Sequence, residues 1–189
     1  LRLERLGVRD CVIVELDLKA DADRETADAL LAAADVVIEG FRPGVMERLG
    51  LGPTQMHQKN PKLIYGRMTG WGQQSARATQ AGHDLNYIAL SGALWSASAP
   101  NDTPLTPPTL VGDIGGGALY LVAGLLAGLL RAAQTGVGTV VDAAIYDGSA
   151  HVQSLLMSIA GAVEAGPPAQ ANPLVGAHWS RTYTCADGL

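Results

Sequence analysis

The sequence predicts an α/β protein built around a parallel sheet. Short runs rich in β-branched residues recur along the chain, and a segment of helical periodicity separates the first two of them. A strand, a helix and a strand in that order predict a parallel pair joined by a right-handed crossover. The 189 residues are 48% hydrophobic and 5% aromatic, which is enough to bury an aliphatic core.

The first part of the chain contains this strand-helix-strand unit. We predict a strand over 11–16, a helix capped by Asp21 or Asp23 and running to Ala33, and a second strand over 35–39. Ligands of parallel sheets bind beyond the carboxyl ends of the strands. The loops over 17–19 and 40–44 are therefore the ones expected to contact a ligand.

The remaining elements are predicted in the same way. They are short helices starting at Pro43 and Pro53, a strand over 63–68, a helix over 118–133, a strand over 139–144, a helix over 147–161 and a linker over 166–173. The apolar run from Ile114 to Leu130 is shorter than the ~20 residues that span a bilayer. We therefore predict a tightly packed buried helix there, and no membrane association.

Composition excludes several classes of function. The net charge of -5 and the pI near 5.2 argue against nucleic-acid binding. Cys11 and Cys185 have neither zinc-motif spacing nor the density of a disulfide framework, so we expect reduced cysteines and a cytoplasmic protein. The sequence has no Gly-Lys-Ser/Thr phosphate loop, two-histidine zinc helix or Gly-x-Ser-x-Gly elbow. Because it starts at Leu1, we expect it to be part of a longer protein.

The segment from Ala81 to Gly117 carries the candidate chemistry. His83 follows Gly82, and Asp113 follows Gly112 and precedes three glycines. Titratable groups beside glycines are candidates for proton transfer, and we predict a two-base site. Structural roles explain the same residues: a lone histidine is often only hydrogen-bonded, and Asp113 is placed to cap the following helix.

Asp84 has a structural alternative too, as a cap or turn residue for the segment that follows it. Asp142 and Asp147 are interpreted as strand-end and cap residues rather than catalysts.

Four segments then carry a family resemblance. In chain order they are EGFRPGVMERLGLG at 39–52, GRMTGWG at 66–72, GHDLNY at 82–87 and VGDIGGG at 111–117. Together they resemble the 2-methylacyl-CoA racemase branch of the class III CoA-transferase superfamily, and the likeness covers nearly the whole sequence. It implies a Rossmann-like parallel-sheet domain, here as a partial chain. Residues 1–145 would be the central part of the CoA-binding large domain, and 146–189 a linker helix and the start of a small domain.

The resemblance also implies the chemistry. His83 and Asp113 would be the acid and base on opposite faces of the substrate α-carbon, and the reaction a 1,1-proton transfer through an enolate. Backbone amides near Asp84 or at the start of the helix over 115–117 are candidate donors to the enolate oxygen. No metal or redox cofactor is expected, since coenzyme A is part of the substrate. The expected partners are an acyl-CoA thioester and, in the full-length protein, a second copy in an interlocked homodimer.

By the same resemblance, coenzyme A would contact a set of residues around the site. They are Lys19, Arg42, Arg48, Gly66, Met68, Gly70, Gly82, Asp84 and Tyr87. Cations at strand ends suit phosphate binding, although Arg42 and Arg48 are equally placed for surface ion pairs with Glu39 or Glu47.

Two alternatives to a racemase stay open at this point. A class III CoA transferase would use Asp113 as a nucleophile that forms an anhydride with the acyl group. A truncated, non-catalytic CoA-binding module is the other. Thr109 stands where the family usually has asparagine, and Trp95 is bulky for its segment.

Overall fold

A three-stranded parallel sheet, in the order β1-β2-β3, is the centre of the structure. The computed structural model describes residues 11–96, 103–105, 109–162, 179 and 183–187. The strands are β1 (Val36–Glu39), β2 (Ile64–Thr69) and β3 (Thr139–Ala144). Tyr65 of β2 lies between Val37 and Val140 in the register. The α/β class and the parallel sheet predicted from the sequence are confirmed, although the pairs formed are β1-β2 and β2-β3 rather than a pair between 11–16 and 35–39.

Helices connect and cover the strands. They are α1 (Asp21–Ala33), α2 (Val45–Arg48), α3 (Pro53–Lys59), α4 (Asp84–Ser91), α5 (Ala93–Ser96), a π-helical segment (Leu110–Ala118), α6 (Leu119–Thr135) and α7 (Ile145–Ala162). Pro53 begins α3 as predicted, because its fixed φ suits the first turn of a helix. Gly50, at φ +75°, follows α2 in the left-handed conformation that glycine adopts at low cost.

The sheet is covered on both faces, as parallel sheets require. One core cluster joins Val37, Leu63 and Tyr65 to Met46 and Met56 from the short helices. The Tyr65 hydroxyl in this cluster donates to the carbonyl of Leu51 at 2.9 Å. Burial, assisted by the negative charge of Glu39, raises the pKa of Tyr65 to about 12.

The second cluster lies under α6. Leu121 and Leu125 pack there against Ile64 and Ala143 of the sheet. A Cβ at Gly66, in the middle of β2, would come within 2.9 Å of Leu125. Glycine at this position therefore lets α6 approach the sheet closely.

The first predicted strand is wrong. Residues 11–16 have no regular secondary structure, and Val12 and Ile13 are 90% and 69% exposed. A β-branched run becomes a strand only where a neighbour supplies ladder partners and a covered face, and this run has neither among the described residues.

The predicted cap of α1 is also wrong. The N-cap is Ala20, and Asp21 and Asp23 lie in the first turn of the helix. Asp23 instead accepts the backbone N–H of Asp17 at 2.8 Å and so holds the preceding loop.

The long helix differs from its prediction, because only one of its faces is buried. Leu119, Val122, Leu126 and Leu130 lie on the other face and are 49–63% exposed. The helical stretch Leu110–Thr135 is 26 residues long and, by length and composition alone, apolar enough to cross a bilayer. A helix that packs one side on a sheet meets the same criterion, and α6 packs on β2 and β3. The absence of a membrane partner stays a prediction.

The last described helix, α7, packs against the π-helical segment, α4 and α5. It begins at Ile145, two residues before the predicted start. The predicted linker over 166–173 lies outside the described residues, so the proposed division at residue 145 stays a prediction.

Candidate active site

A cavity of about 430 Å³ opens at the carboxyl ends of β1 and β2. This is where ligands of parallel sheets bind. Six of the residues singled out from the sequence line it: Arg42, Met68, Gly70, Gly82, His83 and Tyr87. Residues far apart in the chain thus meet at one opening, and the loop over 40–44 contributes to its wall as predicted.

His83 lies at the start of α4, as its N-cap residue. The backbone N–H of His83 donates to Asn86 Oδ1 at 2.9 Å. The backbone N–H of Asn86 donates to the carbonyl oxygen of His83 at 2.8 Å. These two bonds fix the backbone on which the imidazole is carried. The side chain is solvent-exposed and lines the cavity, so the ring is accessible to a ligand.

Asp84 is buried directly behind His83, with 7% of its surface exposed. Its Oδ1 accepts the backbone N–H groups of Gly112 and Asp113, both at 2.9 Å. A Cβ at Gly112 would lie 2.5 Å from that oxygen, so only glycine allows this approach. The sequence-based cap or turn role for Asp84 is incomplete, because its carboxylate holds a segment 28 residues further along the chain.

Asp113 is half-buried and lies near the cavity wall rather than in it. The Thr109 hydroxyl donates to its Oδ2 at 3.1 Å and orients the carboxylate. Tyr87, which lines the cavity, has a pKa raised by its burial and then by the negative charge of Asp113. The charge of the second predicted base therefore acts on a residue of the cavity wall, although Asp113 does not itself line the cavity.

The predicted capping role of Asp113 is wrong. The helix begins four residues earlier than a cap at Asp113 would place it, and its N-cap is Thr109, in the left-handed conformation at φ 67°. Asp113 consequently lies in the first turn, where its own amide is held by Asp84.

The three glycines cannot supply the predicted donors at a helix start. They lie inside the π-helical segment, and Gly116 and Gly117 are buried. A Cβ at Gly116 would come within 2.5 Å of Ser149 Oγ, so this glycine permits close packing of α7. The N-terminal amides of α4, those of Asp84 and Leu85, remain as donors near His83, because the first N–H groups of a helix lack intrahelical acceptors.

Tyr87 has space only because two neighbours are glycines. A Cβ at Gly82 would lie 2.7 Å from the tyrosine ring, and a Cβ at Gly70 would overlap it. On its other side the ring meets Trp71 edge-on, with centroids 4.7 Å apart. Both glycines therefore shape the cavity by positioning Tyr87.

Four of the residues assigned to coenzyme A do not line the cavity, and one of them is the buried Asp84 already described. Lys19 is exposed in the loop before α1, and Arg48 is exposed on α2. Gly66 is buried beneath α6. Their proposed ligand contacts stay predictions, and Gly66 has a packing role that its position in the motif did not reveal.

A buried ion-pair cluster beside the cavity was missed by the sequence-based interpretation. Arg67, 6% exposed, donates from Nε to Glu39 Oε1 at 2.8 Å and from Nη1 to Glu47 Oε1 at 2.6 Å. Burial alone would lower the pKa of Arg67, but the hydrogen bonds to both carboxylates outweigh it and raise the pKa. The signal was a charged residue within an apolar strand, which must find partners when buried.

This cluster also decides the alternative for the two exposed arginines. Glu39 and Glu47 are the carboxylates with which Arg42 and Arg48 were expected to form surface ion pairs. Among the described residues, both carboxylates pair with Arg67, and no ion pair within 4.0 Å involves Arg42 or Arg48. Neither guanidinium is in direct contact with these carboxylates, although the charge of Arg48 also helps to lower the pKa of Glu47.

A larger cavity, of about 580 Å³, adjoins the first one across Trp71. Asp142 and Asp147 line it together with Arg77, whose guanidinium lies over the Trp71 ring. None of the residues predicted to act in catalysis lines this cavity. Asp142 lies within β3, two residues before its end, and accepts the backbone N–H of Gln73 at 3.2 Å, while Asp147 lies in the first turn of α7 rather than at its cap. We therefore assign the candidate active site to the smaller cavity.

Known proteins place the chain in a family. The family model described as CoA-transferase family III matches residues 9–189. Alpha-methylacyl-CoA racemase of Mus musculus is 40% identical over 196 residues, covering 100% of this chain and 51% of that protein. The Homo sapiens protein of the same name is 38% identical, over 92% of this chain and 46% of its own length. Acetyl-CoA:oxalate CoA-transferase of Acetobacter aceti is 35% identical, over 76% of this chain and 37% of its own.

A solved structure agrees with these relatives. A CAIB/BAIF family protein from Brucella suis superposes with a TM-score of 0.74 and 30% identity, covering 80% of this chain and 40% of that one. The chain spans about half the length of the racemases it matches. With the family model, the relatives and the fold in agreement, the chain belongs to CoA-transferase family III.

Proposed function

We propose that this chain carries the acid/base site of a racemase that interconverts the 2R and 2S epimers of 2-methyl-branched acyl-CoA thioesters. The observation that carries the proposal is the link through Asp84. Asp84 is the residue after His83, and its carboxylate accepts a hydrogen bond from the backbone N–H of Asp113. One buried side chain therefore couples the positions of the two proposed bases.

The proposed reaction is a 1,1-proton transfer. One base removes the proton from the carbon beside the thioester carbonyl, and the electron pair of that C–H bond moves onto the carbonyl oxygen as an enolate. The conjugate acid of the other base then returns a proton to the opposite face of the carbon. An imidazole suits this exchange near neutral pH, and a carboxylate oriented by a hydroxyl, as Thr109 orients Asp113, is its counterpart.

The enolate needs hydrogen-bond donors that are already in place. The N-terminal amides of α4, those of Asp84 and Leu85, are the best-placed group beside His83. The positive end of the helix dipole adds to their effect at the same point.

Recognition of the coenzyme is proposed to rest on cations around the cavity. Arg42 lines the cavity, and Arg42 and Arg48 have no ion-pair partner among the described side chains. Guanidinium groups in this state suit phosphate oxygens. The racemases are about twice as long as this chain. We propose that the full-length protein also has a small domain and forms an interlocked homodimer.

A CoA transferase is the second candidate, because relatives such as the Acetobacter aceti enzyme carry that name. In this reaction Asp113 would attack the thioester carbonyl and expel the CoA thiolate, forming a mixed anhydride. His83 has no role in that chemistry, and its place on the cavity wall favours the racemase.

Isotope exchange separates the candidates. The protein is incubated in heavy water with a single epimer of a 2-methylacyl-CoA, and α-deuterium content and configuration are followed. We expect exchange with inversion. Transfer of CoA to an added carboxylate without α-exchange would instead establish the transferase, and binding with neither reaction would leave a CoA-binding module.

Variants of the two bases complete this test. His83→Ala and Asp113→Ala are each expected to reduce epimerisation by about 10²-fold or more, the usual loss for a general acid or base. Circular dichroism checks that both variants are folded. Full epimerisation in either folded variant contradicts the two-base mechanism.

A further inference from the structure

Arg67 is the centre of a buried cluster that the proposed reaction does not use. It lies opposite Glu39 in the register of β1 and β2, so the ion pair joins the two strands near their carboxyl ends. Glu39 is itself only 5% exposed. Arg67 and Glu39 are buried charges, whereas Glu47, the third member of the cluster, is exposed; burying charge is costly unless it is paired.

The cluster holds the start of the segment from Phe41 to Arg48, which follows β1. While Glu39 Oε1 is held by Arg67, its Oε2 accepts the backbone N–H of Phe41 at 2.7 Å. The guanidinium thus fixes a carboxylate that in turn fixes the first turn after β1. Arg42 is the next residue along the chain, and it lines the cavity.

The Arg67 guanidinium also holds the other end of this segment, through Glu47. Nη1 and Nη2 of Arg67 donate to the two carboxylate oxygens of Glu47, at 2.6 and 3.2 Å. Glu47 lies on α2 directly before Arg48. A planar fork binds a carboxylate in this two-point manner, which an ammonium group cannot reproduce.

We propose that Arg67 is a positioning residue for coenzyme A: by holding Glu39 and Glu47 it fixes the backbone from Phe41 to Arg48, and so presents Arg42 and Arg48 to the phosphate groups. The inference rests on the proposed function, because it takes coenzyme A as the ligand. The buried arginine offsets one of the two negative charges of Glu39 and Glu47, and among the described residues neither Arg42 nor Arg48 forms an ion pair within 4.0 Å, so both can meet an outside anion.

Arg67→Lys is the informative variant. It keeps the buried positive charge, so the carboxylates stay compensated, but a lysine lacks the fork that reaches both of them. Arg24→Lys is the matched control, since Arg24 forms an ion pair with Asp21 on α1, in a different part of the fold. Circular dichroism is recorded for both variants.

Hydrogen exchange of the ligand-free chain tests whether Arg67 holds the backbone at Phe41 through Glu39. In Arg67→Lys we expect the Phe41 amide to exchange about tenfold faster or more, because its acceptor is no longer held. Amides of β3 and those of the Arg24→Lys control should be unchanged. Native protection at Phe41 in the folded Arg67→Lys protein overturns the inference.

Calorimetric titration with coenzyme A and with pantetheine, which lacks the nucleotide phosphates, tests the ligand. We expect Arg67→Lys to weaken coenzyme A about tenfold, as for one misplaced charge-assisted contact, and to leave pantetheine unchanged. Equal losses for both ligands, or no loss for either, overturn the positioning role. If the native chain does not bind coenzyme A, both the proposed function and coenzyme A as the ligand are contradicted. Hydrogen exchange at Phe41 separately tests whether Arg67 holds the backbone.

Discussion

The Asp84 carboxylate holds the backbone of Asp113, through hydrogen bonds of 2.9 Å from the amides of Gly112 and Asp113 to a single oxygen. The acceptor is buried and ionisable, and the two donors belong to the first turn of a helix, where amides otherwise lack partners. The position of Asp113 relative to His83 therefore depends on a side chain that has no direct part in the proposed proton transfer.

The first prediction concerns that acceptor. Asp84→Ala leaves two backbone amides without their partner and should lower the free energy of unfolding by about 2–4 kcal/mol. Asp84→Asn retains an oxygen at the same place and should cost about 1 kcal/mol. Urea denaturation measures both losses. Asp28→Asn, which removes a surface ion pair with Lys59, is the control and should cost at most about 1 kcal/mol. A loss in Asp84→Ala no larger than in this control would contradict the role of the carboxylate.

The second prediction concerns the space for Tyr87. A methyl group at Gly70 would overlap the tyrosine ring, so Gly70→Ala should displace Tyr87 and disturb its edge-on contact with Trp71. Near-ultraviolet circular dichroism should report the change, and coenzyme A binding should weaken. Gly40→Ala is the control, because its nearest neighbour would be a comfortable 3.9 Å away. Native aromatic signals in the Gly70→Ala protein would show that the ring is not confined in this way.

The third prediction is a pH dependence. The hydrogen bond from Arg67 is the main cause that lowers the pKa of Glu47 below its usual 4.5. Between the lowered pKa of Glu47 in the folded state and its usual value of 4.5, the folded state therefore binds fewer protons than the unfolded state. The ionised Glu47 carboxylate contributes fully to stability above about pH 4.5, and this contribution is lost as the pH falls through the pKa of the folded state.

Unfolding experiments between pH 3 and pH 7 test it. The stability difference between the native chain and Glu47→Gln should be constant above about pH 4.5 and shrink at lower pH. Glu25→Gln on the exposed side of α1 serves as the reference. A difference for Glu47→Gln that does not change with pH would mean that this carboxylate is not stabilised in its charged form.

The fourth prediction concerns Thr109, whose φ of 67° places a β-branched residue in the left-handed region. Asparagine tolerates that conformation better than threonine does. Thr109→Asn should therefore raise the free energy of unfolding by about 1 kcal/mol. Thr54→Asn, an exposed position on α3, should give no gain. Thermal unfolding of the two variants provides the comparison, and a destabilised Thr109→Asn protein would show that the hydroxyl bond to Asp113 outweighs the backbone strain.

Much of the fold followed from local pattern. The strands β1, β2 and β3 and the helices α1 and α3 occur close to their predicted positions, because hydrophobic periodicity, proline and glycine act over a few residues. The run over 11–16 failed for the opposite reason. Its residues favour a strand, yet a strand also needs a paired edge and a covered face, which local sequence does not report.

The residues that line the candidate cavity were predictable in part, and the contacts that hold them were not. His83, Arg42 and Tyr87 meet at one cavity as expected from the motifs that contain them. Glycines after Asp113 were expected to expose amides, but Gly116 and Gly117 pack against α7 and Met68 instead. Glycine permits both close packing and ligand approach, and only the neighbours in space decide which one occurs.

The sequence by itself determined the parallel α/β class, the membership that its motifs indicate, and the identity of the groups able to transfer protons. These properties reside in the order and chemical nature of the residues. The tertiary structure alone decided that Asp84 anchors a residue 29 positions away, and that Arg67 takes the two carboxylates that might otherwise have paired with Arg42 and Arg48. Such partners are selected by burial and distance, since a buried charge must be satisfied by whichever group folding brings within reach.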